Sequence, residues 1–197
     1  MIREDGKSAK KLFDEIPRLE GKHVVLDRII EDDAEGLRLL SGNSNVSRYL
    51  PTFLFEMQQK DPYETIRLVY GEPYERKQSL ILAIHKKDDG AFCGLAEFYG
   101  LRDDAHKVSI GNRLLEQYWG LGIASETVAL MVEYLFGQTD ITTITASVMI
   151  ENTGSERVLE KNGFACTERA VEEDWGFNHP AIVDKFVLKA SIEEDGK

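Results

Sequence analysis

The chain predicts a mixed α/β fold of the α+β-like kind: a central, mostly antiparallel sheet of about six to seven strands with helices on both faces. Three observations carry this. Between Ser79 and Leu115, three strand-like runs are separated by the short turn signals "KDDG" and "RDDA", which reads as an antiparallel meander. Next, a stretch with helical spacing leads into the β-branched run "ITTITASVMI", which reads as a strand–helix–strand crossover. Ahead of the meander lie an acid-led helix and a helical region broken by prolines, enough to cover one face.

Taken in order, "KHVVLDRII" (Lys22–Ile30) is rich in β-branched residues and predicts a strand. "EDDAEGLRLL" (Glu31–Leu40) opens with acids, which suits a helix N-terminus. "GNSN" (Gly42–Asn45) reads as a loop, and residues 46–77 as helical but interrupted at Pro51, Pro62 and Pro73. Strands are predicted at Ser79–Lys86, Ala91–Gly100 and His106–Leu115. A helix over Leu121–Phe136 places Val128, Met131, Val132 and Leu135 on one buried stripe. Ile141–Ile150 is a strand, and "NTGSERVLEKNGF" (Asn152–Phe164) a short helix with its stop. Ala165–Val171 and Ala181–Ala190 close the chain as strands.

The domain reading is a loose N-terminal segment over 1–21, one domain over 22–190 and a charged tail over 191–197. The N-terminus lacks the apolar core of a signal peptide, and no run approaches a membrane span, so cytoplasmic residence without membrane attachment is expected. A net charge of −11 argues against direct nucleic-acid binding and is compatible with a cationic substrate. Cys93 and Cys166 sit in strand-like settings and are expected to be free and buried. No Cys/His cluster has metal-ligand spacing, so no metal is expected.

The stretch "EQYWGLGIASET" (Glu116–Thr127) sets Gly120 and Gly122 at a helix entrance, where backbone N–H groups can approach an anion. A Rossmann site is one reading, but Ser125 stands where that fingerprint needs Gly or Ala, and the string "EQYW" separates the glycines from their strand. A tight turn without a ligand is another. Near it, Gly111 interrupts a strand and signals a bulge or a close neighbour. Glu97 is an acid on a central strand, on one face with Leu95 and Tyr99. It is the candidate general base, with Glu173 and Asp174 as rivals in a loop that also carries Trp175 and Phe177. Asn152 or Thr153 can cap the following helix, and Thr153…Glu156 fits a capping box. Gly163 fits a left-handed helix stop, with Phe164 packing back.

Gln117-Tyr118-Trp119-Gly120-Leu121-Gly122 also fits Q/R-x-x-G-x-G/A, the pyrophosphate-binding signature of the GNAT acyltransferase superfamily. The longer "LLEQYWGLGIASETVALMVEYLF" resembles its RimJ/RimL-like branch, as do "NTGSERVLEKNGF" and, more weakly, "SRYLP" (Ser47–Pro51). The resemblance runs from about Val24 to Leu188. It implies a GNAT-type sheet with a splayed strand pair at the cofactor site, and acetyl-CoA as co-substrate. It implies pantetheine pairing with backbone near Arg113, Leu114 and Leu115. Gln117, Trp119, Gly120, Leu121, Gly122, Ile123 and Ala124 would form the pyrophosphate turn. Asn152 would lie near the pantetheine arm and Ser155 near the sulfur, where it would help protonate the leaving thiolate. Many members use a tyrosine of this helix for that step; here the helix has none. The implied activity is transfer of an acetyl group to a primary amine, on a protein N-terminus or a small molecule, by direct attack. The alternative is a non-catalytic module that keeps the coenzyme cradle as a sensor. A homodimer is compatible with either.

Overall fold

The computed structural model describes residues 9–50 and 61–191. Eight strands form one sheet: β1 (Leu19–Glu20), β2 (Val24–Arg28), β3 (Ser79–Lys86), β4 (Phe92–Arg102), β5 (Lys107–Leu114), β6 (Thr143–Met149), β7 (Ala165–Glu173) and β8 (Ala181–Lys189). Their order across the sheet is β1-β2-β3-β4-β5-β6-β8-β7. Every neighbouring pair is antiparallel except β5 with β6, the crossover that the sequence pattern implied. The predicted class is therefore the observed one, with one more strand than expected.

The extra strand lies in the segment expected to be loose. Residues 1–8 are outside the described part, but Leu12 is 1% exposed and Leu19 is buried. β1 pairs with β2, and Lys10 bridges Thr139. Lys11 Nζ adds ion pairs to Asp140 at 2.5 Å and Asp103 at 2.8 Å. Two buried leucines among polar neighbours are too sparse a pattern to signal burial in advance.

The pleat divides the sheet into two faces. Leu80, Leu82 and Ile84 of β3, Phe98 of β4, and Val108 and Ile110 of β5 pack with α5 (Ile123–Gln138). The stripe read from sequence is there: Val128, Met131 and Leu135 are buried and Val132 partly so. The opposite face carries Ile81, Ala83 and Leu95, covered by Leu37 and Leu40 of α1 (Ala34–Ser41), Val46 of α2 (Ser44–Ser47) and Tyr70. Tyr70 sits in a π-helical turn, Ile66–Gly71, between α3 (Pro62–Thr65) and α4 (Glu72–Glu75). Pro62 is the first residue of α3, where a missing N–H costs little, whereas Pro73 is the second residue of α4, directly after the π-helical turn. Pro51 lies outside the described residues.

Three local expectations change. "GNSN" is not all loop, because Asn43 Oδ1 accepts the Asn45 N–H at 2.9 Å and starts α2 at Ser44. The Thr153…Glu156 capping box does not form. Asn152 is the N-cap of α6 (Thr153–Lys161), and Glu156 instead meets Arg169 at 3.2 Å. Cys93 is free and buried as expected; Cys166 is free but only half-buried.

Candidate coenzyme and acceptor site

β5 and β6 pair only over Lys107–Ser109 and Thr143–Thr145. Beyond these, β5 continues to Leu114 on β4, while β6 continues to Met149 on β8. The two strands therefore diverge into a wedge. The cause is on the far side of β5. At Gly94, β4 lies so close to β5 that a Cβ would sit 2.0 Å from the Arg113 carbonyl oxygen. Only glycine permits that approach, and it draws the end of β5 towards β4. Gly111, the strand glycine noted in the sequence, has no strained backbone. A Cβ there would meet only the Tyr99 ring, at 3.8 Å from Cε1, an ordinary contact.

The wedge determines which backbone groups are available. The Leu115 N–H is donated to the Cys93 carbonyl at 2.8 Å, so Leu115 and, by alternation, Arg113 direct their backbone towards β4. Leu114 and Asn112 direct theirs into the wedge, and the Leu114 carbonyl accepts the Trp119 indole N–H at 2.9 Å. Of the three residues expected to pair with an extended ligand arm, Leu114 alone faces the gap. Asn112, which sequence reasoning missed, joins it, and its Nδ2 donates to the Ala124 carbonyl at 3.3 Å, tying β5 to α5.

From Leu115 the chain makes a 3-10 turn over Glu116–Tyr118 and reaches the two glycines. Gly120 and Gly122 have φ of 73° and 84°, and a Cβ on either would meet nothing within 4 Å. The left-handed backbone calls for glycine, and the side without side chains is open. Gly122 is the N-cap of α5, and among the described residues no side chain caps that end. The N–H groups of the first turn are thus left for an outside acceptor. Gln117, Trp119 and Leu121 are exposed around this opening, Leu121 to 67%. Ile123 is buried in the core, so it offers its backbone only, and Ala124 is half-buried. The residues fit a pyrophosphate-bearing coenzyme: a cradle open at both glycines beside a wedge in which β5 and β6 do not pair with each other.

α6 starts differently. Asn152 Oδ1 accepts the Ser155 N–H at 3.2 Å, so the capping role read from the sequence is realised, and the Asn152 amide nitrogen is not used by that bond. Ser155 is half-buried in the first turn. Gly163 is left-handed at φ 83° and the Phe164 N–H returns to the Leu159 carbonyl at 3.1 Å, the expected helix stop.

On the α1–α2 face, Glu97 lies opposite Gly111, flanked by Tyr99 opposite Ser109 and by Leu95 opposite Arg113. Period 2 places Glu97, Tyr99 and Arg113 on this one face. Glu97 is half-buried and Arg113 is 4% exposed. Burial of its ring, then the charges of Glu97 and Glu173, push the Tyr99 phenol above its usual range, although the residue as a whole is 36% exposed. The rival bases lie in and beside the turn after β7. Glu173 pairs with Lys185 at 2.8 Å and accepts the Trp175 indole N–H at 2.8 Å. Burial would raise its pKa, but Lys185 and Trp175 hold it below the ordinary carboxylate value. Asp174 Oδ1 accepts the Gly176 N–H at 2.9 Å within its turn.

One link between the two sides was not legible in the sequence. Glu116, at the head of the glycine turn, accepts from Asn45 Nδ2 at 3.1 and 3.0 Å and from Asn43 Nδ2 at 3.2 Å. The α1–α2 corner is thereby fastened to the turn. Asparagines in "GNSN" signal caps and turns, and nothing in their spacing points 71 residues ahead.

Comparison with known proteins agrees with this arrangement. The family model described as acetyltransferase (GNAT) domain matches residues 23–165. The probable N-acetyltransferase YjcK of Bacillus subtilis is 30% identical over 154 residues, covering 74% of this chain and 82% of that protein. Among solved structures, Mycobacterium smegmatis RimJ in complex with CoA-disulfide superposes with a TM-score of 0.73 at 19% identity, covering 91% of this chain and 88% of that one. The spermidine N-acetyltransferase of Vibrio cholerae in complex with CoA and spermine gives 0.71 at 17% identity, covering 86% and 96%. These two share the fold. With the family model matching most of its length, the chain belongs to the GNAT acetyltransferase family.

Proposed function

We propose that this acetyltransferase uses acetyl-CoA to acetylate a primary amine, on a protein N-terminus or a small molecule, by direct attack on the thioester. The observation that carries the reading is the uncapped, glycine-led N-terminus of α5 beside the β5–β6 wedge. The first-turn N–H groups from Ile123 on would hold the pyrophosphate, and the wedge-facing backbone of Asn112 and Leu114 the extended arm. A backbone N–H of β5 polarises the thioester carbonyl as charge develops on its oxygen.

Glu97 is the proposed base. It lies opposite Gly111, on the face covered by α1 and α2. The amine nitrogen forms a bond to the carbonyl carbon, the carbon–sulfur bond breaks, and the thiolate leaves with the electron pair. The proton lost by nitrogen passes to Glu97, directly or through one water. Glu173 is the alternative; its pairing with Lys185 favours the ionised form and reduces its basicity. Ser155 is assigned to the sulfur end and Asn152 to the arm.

The relatives' names support both acceptor types: one solved neighbour is a spermidine N-acetyltransferase and another a ribosomal L7/L12 alpha-N-protein acetyltransferase. The absence of a tyrosine from α6 favours a second reading, a coenzyme-binding sensor without turnover. A thermal-shift assay followed by thioester consumption separates them. Acetyl-CoA at ~100 times its Kd should add about 2.7 kcal/mol of stability. Turnover with a panel of polyamines, amino acids and N-terminal peptides is expected; binding without turnover on any of them favours the sensor. No stabilisation by acetyl-CoA defeats both.

A further inference from the structure

Helix α6 is fastened at both ends, by different means. At its C-terminal end Asn162 Nδ2 donates to the Ser125 carbonyl at 3.2 Å and to the Val158 carbonyl at 2.8 Å, locking that end onto the first turn of α5. Its first turn is held from the edge strand β7. Glu168 and Val171 of β7 pair with Lys185 and Val183, so two residues, Arg169 and Ala170, stand against one, Asp184. This is a bulge, and Ala170 in it has a left-handed φ of 52°, a conformation that strains any residue with a Cβ. Asp184 is 7% exposed and takes both residues at once: its Oδ1 accepts the Ala170 N–H at 2.8 Å and its Oδ2 the Arg169 guanidinium at 2.5 Å. The same guanidinium nitrogen donates to Glu156 Oε1 at 3.2 Å, in the first turn of α6 and next to Ser155. The bland role of the bulge is protection of a sheet edge, since a bulged strand pairs poorly with a second chain. That role accounts for the extra residue but not for a buried carboxylate that aims an arginine at a helix turn.

We infer that Arg169, held by Asp184, is a positioning residue: it sets the first turn of α6 so that Ser155 meets the coenzyme sulfur, in a helix that has no tyrosine for that task. The inference rests on the coenzyme reading above and on its assignment of Ser155 to the sulfur end. In the transfer the carbon–sulfur bond breaks and the electron pair goes to sulfur. A hydroxyl placed there donates a hydrogen bond to the thiolate and eases its departure. Arg169 acts through Glu156, not on the coenzyme itself. A strained backbone beside such a turn is the kind of feature that a functional constraint retains.

The test titrates the thiol of coenzyme A bound to the full chain, followed by the ultraviolet absorbance of the thiolate against the ligand-free protein, with coenzyme Kd and kcat measured beside it. In the wild-type protein the bound thiol should ionise at lower pH than in free coenzyme A. Arg169→Met should move that midpoint up by about 0.5–1 pH unit. It should lower kcat about fivefold while coenzyme Kd stays within about twofold, and Arg169→Lys should restore most of both losses. Ser155→Ala should move the midpoint as Arg169→Met does, and the double variant no further. If Arg169→Met fails to fold, Asp184→Asn, which keeps an acceptor for the Ala170 N–H, carries the same expectation. A lower Tm with an unchanged midpoint makes the clasp purely structural and overturns the inference while leaving the coenzyme reading intact. A wild-type midpoint equal to that of free coenzyme A takes Ser155 away from the sulfur, and the inference with it. Failure of the wild-type protein to bind coenzyme A removes the coenzyme reading itself.

Discussion

The two faces of the sheet differ in how they are covered. The face under α5 is closed by a helix of 16 residues with a continuous apolar stripe, and its elements follow directly from periodicity. The face towards Glu97 is closed by pieces: helices of eight, four and four residues, with a π-helical turn among them. On the proposed reading, the long helix presents its N-terminus to the coenzyme, which is the same in every reaction. On the same reading, the short pieces border the space beside Glu97 where the acceptor would enter. Recognition of a fixed coenzyme tolerates, and uses, a rigid regular element. A substrate-defining wall is built from short segments that can change without disturbing the core.

Five substitutions test that division, beginning with the greatest loss. Gly122→Trp should cut coenzyme A affinity more than about 100-fold, because the indole fills the open side of the cradle. The left-handed backbone adds strain of about 1–2 kcal/mol, and circular dichroism should still report a folded chain. Normal binding by the folded variant would take the phosphate site away from this turn. Glu97→Gln should lower kcat about 100-fold with coenzyme affinity unchanged, whereas Glu173→Gln should cost far less. The reverse ranking moves the base across the wedge.

Asn152→Ala removes the cap on α6 and should cost about 1 kcal/mol, read as a fall in Tm of about 2–4 °C. A much larger fall would mean that Asn152 holds more than one helix end. Glu116→Gln weakens the fastening between the α1–α2 corner and the glycine turn, and an increase of about threefold in coenzyme Kd is expected. This effect has a pH signature. Hydrogen bonds from Asn45 and Asn43 hold the Glu116 carboxyl below its ordinary value of 4.5. A lowered acid stabilises fully above its unfolded value and loses that contribution as pH falls through the folded one. The Tm curves of wild type and Glu116→Gln should therefore converge on acidification below pH 4.5; parallel curves would show that the carboxylate form contributes nothing.

The strands of the meander, the crossover, α5 and the Gly163 stop were legible because each rests on local pattern: alternation, helical spacing, or a glycine where the backbone turns left. The glycine cradle was legible for the same reason. The wedge could not be derived from residues alone, since it follows from Gly94 packing on Arg113, two residues 19 apart in the chain that only pairing brings together. The Glu116 fastening, the Asn162 lock and the burial of Leu12 escaped on the same ground: each is a contact between distant segments made by residue types that are ordinary in loops. Tyr99 was visible on the Glu97 face, but its position over Gly111 depends on the β4–β5 register.

The tight seating of Gly94 against the Arg113 carbonyl has a thermodynamic consequence. The strand that forms one jaw of the wedge is held from behind, on its β4 side, by this contact. The opening is thus set before anything enters it. On the proposed reading, association would order the ligand's flexible arm but little of the protein, so the entropic cost would fall mainly on one partner. Filling Gly94 with even a methyl group should shift that cost back onto the chain.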